Sequence, residues 1–420
     1  MKIVFYKKFL IILMSIVIIT CLFFKLKQYQ FGHFINGPIT NYSHEILTDI
    51  LTLDNGDLLI LGSNCHQNLY NYGSLNDMQI NETPFEIYNP KENNFTKFSL
   101  PNNIAYQPMG LLLNNYKLLL TFVYDYKDSK YSNYSTKMYP PYPYDSMAIV
   151  DLKNKKIEKI IQKKINKHNQ PNFQYTSFTL LGNGKILIID FFNKIAEIYN
   201  PNNNSSEILN LKIDKEPGSK VIANGYSQAL IFGATNLFPE EFEKLSYYSE
   251  DYVEQYDDNS KTLKQVGKTL RRSFPSVMKI SQDKIIIFGG EINTLQKRYN
   301  IVNEIEIYNT KINESKVIAQ FNQKRKFEAN RTTFSGNLIN DKLFLITGGV
   351  SGETPFKITK RSSEILNLET GDMYQGPNMK YAHANHQMIK LNDGNILIIG
   401  GRNLNDNRKT ELFKIRKGVK

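Results

Sequence analysis

The sequence predicts an all-β fold, seven four-stranded units closed into a ring and preceded by one apolar N-terminal helix. Three observations carry this. First, an apolar phrase recurs as GDLLIL (56–61), YKLLLTF (116–122), GKILII (184–189), SQALIFG (227–233), DKIIIF (283–288), DKLFLI (341–346) and GNILII (394–399). Second, most copies are followed, after a variable loop, by a second phrase: FEIYNP (85–90), MAIVDL (147–152), AEIYNP (196–201), VEQYDD (253–258), IEIYNT (305–310) or SEILNL (363–368). Third, the last unit runs out of chain before its fourth strand, and a matching segment stands near the N-terminus. The copies lie roughly 43 to 68 residues apart. That spacing belongs to propeller blades rather than helical solenoids.

The elements follow in chain order. Residues 1–8 form a basic segment with Lys2, Lys7 and Lys8, read as cytoplasmic. Residues 9–24, FLIILMSIVIITCLFF, have only Ser15 and Thr20 as polar members and predict a transmembrane signal-anchor helix. The run is slightly short for a full span, but Lys25 and Lys27 can snorkel at its far end. No A-x-A-like cleavage site follows Phe24, and the stretch 18–21 is only a faint lipoprotein box, with Thr20 a poor match. A cleaved signal is the alternative. Either reading exports the domain at 28–420, and the anchor makes the protein a single-pass membrane protein with its ring on the periplasmic or extracellular side. Cys65 is the sole cysteine outside the apolar run, so no disulfide forms within the domain and the thiol is read as a small core residue.

Within each unit an alternating stretch such as TSFTLLG (176–182) or HQMIKLN (386–392) supplies strand A. The recurrent phrase supplies strand B and the second phrase strand C. A short turn then leads to strand D, as in FTKFSL (95–100) or SKVIAQF (315–321). Branched and aromatic residues suit these strands. The last unit has A at 386–391, B at 395–400 and C at 409–415, and no D. Residues 29–38, YQFGHFINGP, match MYQGP (373–377), and GPITNYSHE (37–45) parallels GPNMKYAHA (376–384). The N-terminal segment is therefore expected to complete the seventh unit and remove an open sheet edge.

An apolar strand ending in Gly-Gly, a variable loop and then E-I-Y-N-P resemble the kelch repeat, over nearly the whole chain from about residue 28. Gly289-Gly290 with Tyr308 match well, whereas blades two and three lack the glycine pair. The Trp that the family usually places after Tyr-Asn-Pro is absent, its place taken by residues such as Phe95, Ile208 and Leu263. The resemblance implies a seven-bladed kelch-type β-propeller. Glycine at the end of an inner strand lets backbone approach backbone and tolerates positive φ. None of the pairs opens a helix, so none is read as a phosphate loop.

Alternating strand directions place B–C and D–A connections on one face and A–B and C–D turns on the other. The B–C connections at 63–84, 124–146 and 235–251 are long, and long loops on a rigid scaffold carry binding. The chain leaves the apolar segment at the short-turn end of the closing strand, so that face is expected near the membrane. On the long-loop face, Tyr124, Tyr126, Tyr139, Tyr142 and Tyr144, stiffened by Pro140, Pro141 and Pro143, offer rigid amphipathic contact surface. His44, Arg271, Arg272, Arg325, Arg331, Lys380 and His383 fall at D–A connections. The kelch resemblance implies that basic residues there line the channel mouth and meet acidic partners; hydrogen bonding between blades is the structural alternative.

The expected function is a non-catalytic module that binds or scaffolds a protein or glycan ligand, with no cofactor and no metal. The alternative is a carbohydrate-active enzyme on the same scaffold. One form would be sialic-acid mutarotase-like, with Glu291 and Arg331 of suitable chemistry. Another would be a copper radical oxidase using Tyr381, His383 and His386, against which the alternation of neighbouring strand positions speaks. The formal charge of +12 could attract polyanions, but no groove-reading motif is present and no nucleic acid is expected.

Overall fold

The structure is a computed structural model that describes residues 13–16, 29–44, 49–61, 82–101, 109–113, 116–123, 146–164, 176–235, 249–292, 300–323, 325, 333–351, 358–401 and 406–419. It contains seven antiparallel four-stranded sheets, each in the order A-B-C-D. Blade 1 comprises Asp49–Thr52, Leu58–Leu61, Glu82–Asn89 and Asn94–Pro101; blade 2, Gly110–Leu112, Lys117–Val123, Ser146–Asp151 and Lys156–Gln162. Blade 3 comprises Thr176–Leu180, Ile186–Asp190, Ile195–Asn200 and Ser205–Leu209; blade 4, Lys220–Ala223, Gln228–Phe232, Glu250–Asp257 and Thr262–Leu270. Blade 5 comprises Ser276–Lys279, Lys284–Phe288, Glu304–Asn309 and Glu314–Gln320; blade 6, Phe334–Leu338, Leu343–Gly348, Ser363–Asn367 and Met373–Gln375. Blade 7 takes Gln387–Lys390, Ile396–Ile399 and Glu411–Ile415, with Gly32–Asn36 as its strand D.

The recurrent apolar phrases are the B strands. Each lies inside a blade that is itself packed between two others, so both of its faces are covered and no polar alternation is needed. Leu58–Leu61 and Leu343–Gly348 are accordingly buried at every position. One core joins Leu59, Leu61, Phe85 and Phe98 of blade 1 to Leu118, Leu120 and Val150 of blade 2. Another joins Leu58, Ile60 and Tyr88 of blade 1 to Leu397, Ile399 and Leu412 of blade 7, so the ring is continuous across its seam. Each buried Leu or Ile contributes about 1.5–3 kcal/mol relative to exposure.

The Tyr-Asn part of the second phrase has a local cause. Tyr88, Tyr199 and Tyr308 are fully buried at the end of strand C, and their hydroxyls donate to Asn93, Asn204 and Asn313 at 2.8, 3.1 and 3.0 Å. Those asparagines close the C–D turns at φ of 53°, 55° and 56°, a left-handed conformation that Asn accepts more readily than other side chains. Cross-strand pairing corrects one expectation: Tyr88 faces Phe95 and Tyr256 faces Leu263, but Tyr199 faces Ser206. Ile208 instead pairs with Glu197 and is half-exposed, so it does not stand in for the missing Trp.

The closing strand pairs from Gly32 against Ile415 to Asn36 against Glu411. Phe34 packs on Phe413 with ring centroids 5.0 Å apart, and Thr410 Oγ1 donates to the Pro38 carbonyl at 2.6 Å. The strand enters from the face that carries the A–B and C–D turns, beside the C-terminal residues, where the Arg416 amide donates to the Phe31 carbonyl at 3.0 Å. Two features were not anticipated. In blades 5 and 6 the B–C connection continues as a two-stranded ribbon, Glu291–Ile292 with Asn300–Ile301 and Val350–Ser351 with Ile358–Thr359. Of the apolar run 9–24 only 13–16 are described, as helix; among the described residues no helix is long and apolar enough to cross a membrane.

Candidate functional site

On the face shared by the B–C and D–A connections, strand C of six blades carries a glutamate at one repeated place: Glu86, Glu197, Glu254, Glu306, Glu364 and Glu411. Blade 2 has Ala148 there. All but Glu254 reach up to the chain arriving from the previous blade. Glu86 accepts the amides of Asn41 and Tyr42 at 2.8 Å each, Glu364 those of Asn322 and Gln323 at 2.9 and 3.2 Å, and Glu411 those of Lys380 and Tyr381 at 2.6 and 2.8 Å. Four of them then meet a base two or three residues further on. His44 Nε2 lies 3.0 Å from Glu86, His383 Nε2 lies 3.4 Å from Glu411, and Arg272 and Arg325 pair with Glu306 and Glu364.

The base also bonds to the glycine pair at the end of strand B. Arg272 donates to the Gly289 carbonyl and Arg325 to that of Gly348, both at 3.1 Å, while His383 Nδ1 lies 3.2 Å from the Gly400 carbonyl. The second glycine then reaches the next blade, the Gly349 amide donating to His383 O at 2.9 Å and the Gly401 amide to His44 O at 2.7 Å. A side chain at Gly401 (φ 77°) would put its Cβ 2.4 Å from the Ala384 carbonyl oxygen, so glycine is required there. His44, Arg272, Arg325 and His383 are at most 2% exposed. These four members of the expected basic set therefore form an internal belt that bonds the D–A connections to the blades, as the structural alternative had it. Lys380 is exposed and joins the belt through its amide.

Between blades 3, 4 and 5 the belt changes composition. Lys215 replaces the arginine or histidine, donating to the Gly233 carbonyl at 2.9 Å and pairing with Asp251 at 3.1 Å. Arg271 donates to Asp251 at 2.5 Å, to Glu216 at 3.1 Å and to the Thr235 carbonyl at 2.6 Å. Ser273 Oγ donates to the other oxygen of Glu216 at 2.6 Å, and the Ser273 and Glu291 backbones exchange bonds of 2.8 and 3.0 Å. Glu291 is 3% exposed, and its Oε2 has no hydrogen-bond partner among the described residues. Burial, and then the negative charge of Glu216, push its pKa up to about 7. Glu254 is also raised, chiefly by burial, whereas Lys215, Thr235 and Arg271 together overcome burial and hold Asp251 below the usual range.

A carboxyl that titrates near neutrality, next to a second carboxyl group bonded to Arg271 and Ser273, has the chemistry of a general acid or base. Glu291 was named with Arg331 as having suitable chemistry, but nothing in the sequence set it apart from other acids. Its neighbours Glu216 and Ser273 were missed, because they sit on D–A connections with no repeated phrase. Tyr381, His383 and His386 are also brought together, contrary to the alternation expected of them. They precede strand A, and the two imidazole centroids lie 5.6 Å apart. His386 is buried with Nε2 2.7 Å from Thr347 Oγ1, and burial drives its pKa well below 6.5. Among the described residues no group of three or more His, Cys, Asp or Glu is placed to hold a metal. Tyr124, Tyr126, Tyr139, Tyr142, Tyr144, Arg331 and Cys65 lie outside the described residues.

No known family matches the chain, and no curated protein is similar to it. Among solved structures it is similar to a novel fungal alcohol oxidase of the AA5 family in complex with copper, with a TM-score of 0.61 and 13% identity, covering 92% of this chain and 76% of that enzyme. It is also similar to YjhT, with a TM-score of 0.47 and 12% identity, covering 91% of this chain and 98% of that one. The chain is a seven-bladed β-propeller.

Proposed function

We propose that the protein is a membrane-anchored, exported kelch-type propeller that binds a protein or glycan ligand with its long-loop face. The observation that carries this reading is the inequality of the two faces. A–B and C–D turns span four or five residues, as at 53–57, 90–93 and 201–204, whereas B–C connections run to 62–81 and 124–145. Long connections on a rigid ring are the usual seat of recognition. The closing strand Gly32–Asn36 enters from the opposite face, which supports a tether that leaves the loops outward. A photo-crosslinking residue at Tyr142 in the full chain should yield ligand adducts in native membranes, and one at Asn202 on a short turn should not. Equal labelling from both positions would sink the proposal.

A second reading is favoured by the Glu216–Glu291 pair. It makes the same face a carbohydrate-active site in which Glu291 exchanges a proton with a sugar hydroxyl or ring oxygen, as in a mutarotase-like reaction. Anomer interconversion of candidate sugars, followed by NMR exchange, should be accelerated by the full chain and not by Glu291→Gln. An unaltered rate in that variant rules the reading out.

A further inference from the structure

The A–B turns of blades 1, 3 and 7 place Gly56, Gly184 and Gly394 at φ of 86°, 79° and 87°. The same place in blade 2 is held by Tyr116 at φ 60°. A bulky residue is rarely found in that conformation, because its Cβ crowds the backbone. Nothing in the turn demands a tyrosine, and the Tyr116 carbonyl simply accepts the Leu152 amide at 3.0 Å. Half of the side chain stays exposed. A strained residue held by its surroundings is a pointer to function, and Tyr116 stands beside a groove.

That groove, of about 370 Å³, opens between blades 1 and 2 on the short-turn face. Its floor is made by Leu53, Ile87, Phe98 and Leu152, side chains with no hydrogen-bonding capacity. At the rim Asn55 and Asp57 bond to each other, Asn55 Nδ2 donating to Asp57 at 2.8 Å and the Asp57 amide returning to Asn55 at 3.0 Å. The remaining rim groups are the Tyr116 side chain and the exposed Lys153. Lys155 and Lys156 are exposed alongside, with the Lys155 ammonium 5.3 Å from the Phe98 ring centroid. A sugar ring would want donors and acceptors on the floor, where there are none. An apolar chain matches the floor, and an anionic head matches Lys153 with the adjacent Lys155 and Lys156, which together outweigh the Asp57 carboxylate at the rim.

We infer that this groove seats one acyl chain of an anionic bilayer lipid, with Tyr116 lying along the chain and Lys153 and Lys155 at the headgroup. The inference rests on the proposal that the short-turn face lies near the membrane. Lysines at a bilayer surface gain further wherever the leaflet they face carries anionic lipid.

The native chain has no tryptophan, so Tyr116→Trp introduces a single reporter at the groove. The full chain would be reconstituted into phosphatidylcholine vesicles containing phosphatidylglycerol with brominated acyl chains, which quench tryptophan on contact. Tyr226→Trp is the comparison, since Tyr226 is 74% exposed on the A–B turn of blade 4, on the same face and away from the groove. Asn55→Trp serves as a second groove reporter should the position-116 variant fail to fold. Emission from the groove reporters is expected to be quenched several-fold more than emission from position 226. Equal quenching at both places overturns the inference while leaving the membrane placement intact, and no quenching at either overturns both. In the Tyr116→Trp background, Lys153→Glu with Lys155→Glu should abolish the preference for brominated phosphatidylglycerol over brominated phosphatidylcholine. An unchanged preference overturns the headgroup assignment.

Discussion

Arg325 shows what burial does to a cation that sequence position alone would place at a binding surface. It is 2% exposed, pairs with Glu364, and has its pKa lowered by burial even though Glu364 opposes the shift. Breaking such a pair from one side strands the other charge in a dry interior, typically at a cost of about 3–5 kcal/mol. Glu364→Leu alone should therefore destabilise the protein by that amount in denaturant titration. The double variant Arg325→Met with Glu364→Leu should recover only part of the loss: it leaves no orphan charge, but the Asn322 and Gln323 amides and the Gly348 carbonyl still lose a partner. Glu291 gives the opposite kind of signal. Its folded pKa of about 7 lies above the ordinary 4.5, so the native state holds a proton that the unfolded chain releases, and stability falls as pH rises between those values. Glu291→Gln should be more stable than the parent at pH 8 by about 1–2 kcal/mol, less than the whole shift because solvent screens part of the cluster. At pH 4 the two should unfold alike, and a gain independent of pH would contradict this assignment of charge.

At the scale of elements, the strand Gly32–Asn36 is held by a full antiparallel ladder and by Phe34 against Phe413. A chain beginning at residue 37 should melt well below one beginning at residue 28; equal melting temperatures would show that the seventh blade stands without it. The strand was legible because its neighbours repeat a phrase from blade 6, and the B strands because burial on both faces writes an unbroken apolar run. The two ribbons were not legible, since arms as short as Glu291–Ile292 hold too few residues to display a period. The basic belt was legible only as one of two readings, a channel-mouth surface or hydrogen bonding between blades, for a different reason. A sequence displays Arg272 and its position, but not the carboxylate two strands away that claims it. The missing signal was nevertheless present in the second phrase, where a glutamate precedes the Ile-Tyr or its equivalent in blade after blade and is replaced by Ala148 only in blade 2 among those phrases.

For the molecule as a whole, the ring is rigid where it is repetitive and variable on one face. Replacing 124–145 by the four-residue B–C turn of blade 3, 191–194, should change stability by no more than about 1.5 kcal/mol, because loop-closure entropy varies slowly with length. The same replacement should remove ligand crosslinking from that face; a collapse in melting temperature would mean that the loop belongs to the core. The seam carries a consequence in time. Thr410 and Pro38, which bond across it, are 372 residues apart in the chain. At about 5–20 residues per second of synthesis, roughly 20 to 75 s separate the emergence of one side from the other. Throughout that interval blades 1 to 6 can stack in order while the first strand made waits without a partner. The ring's last bonds thus join its oldest segment to its newest, and anything that captures residues 32–36 in the meantime would leave the circle open.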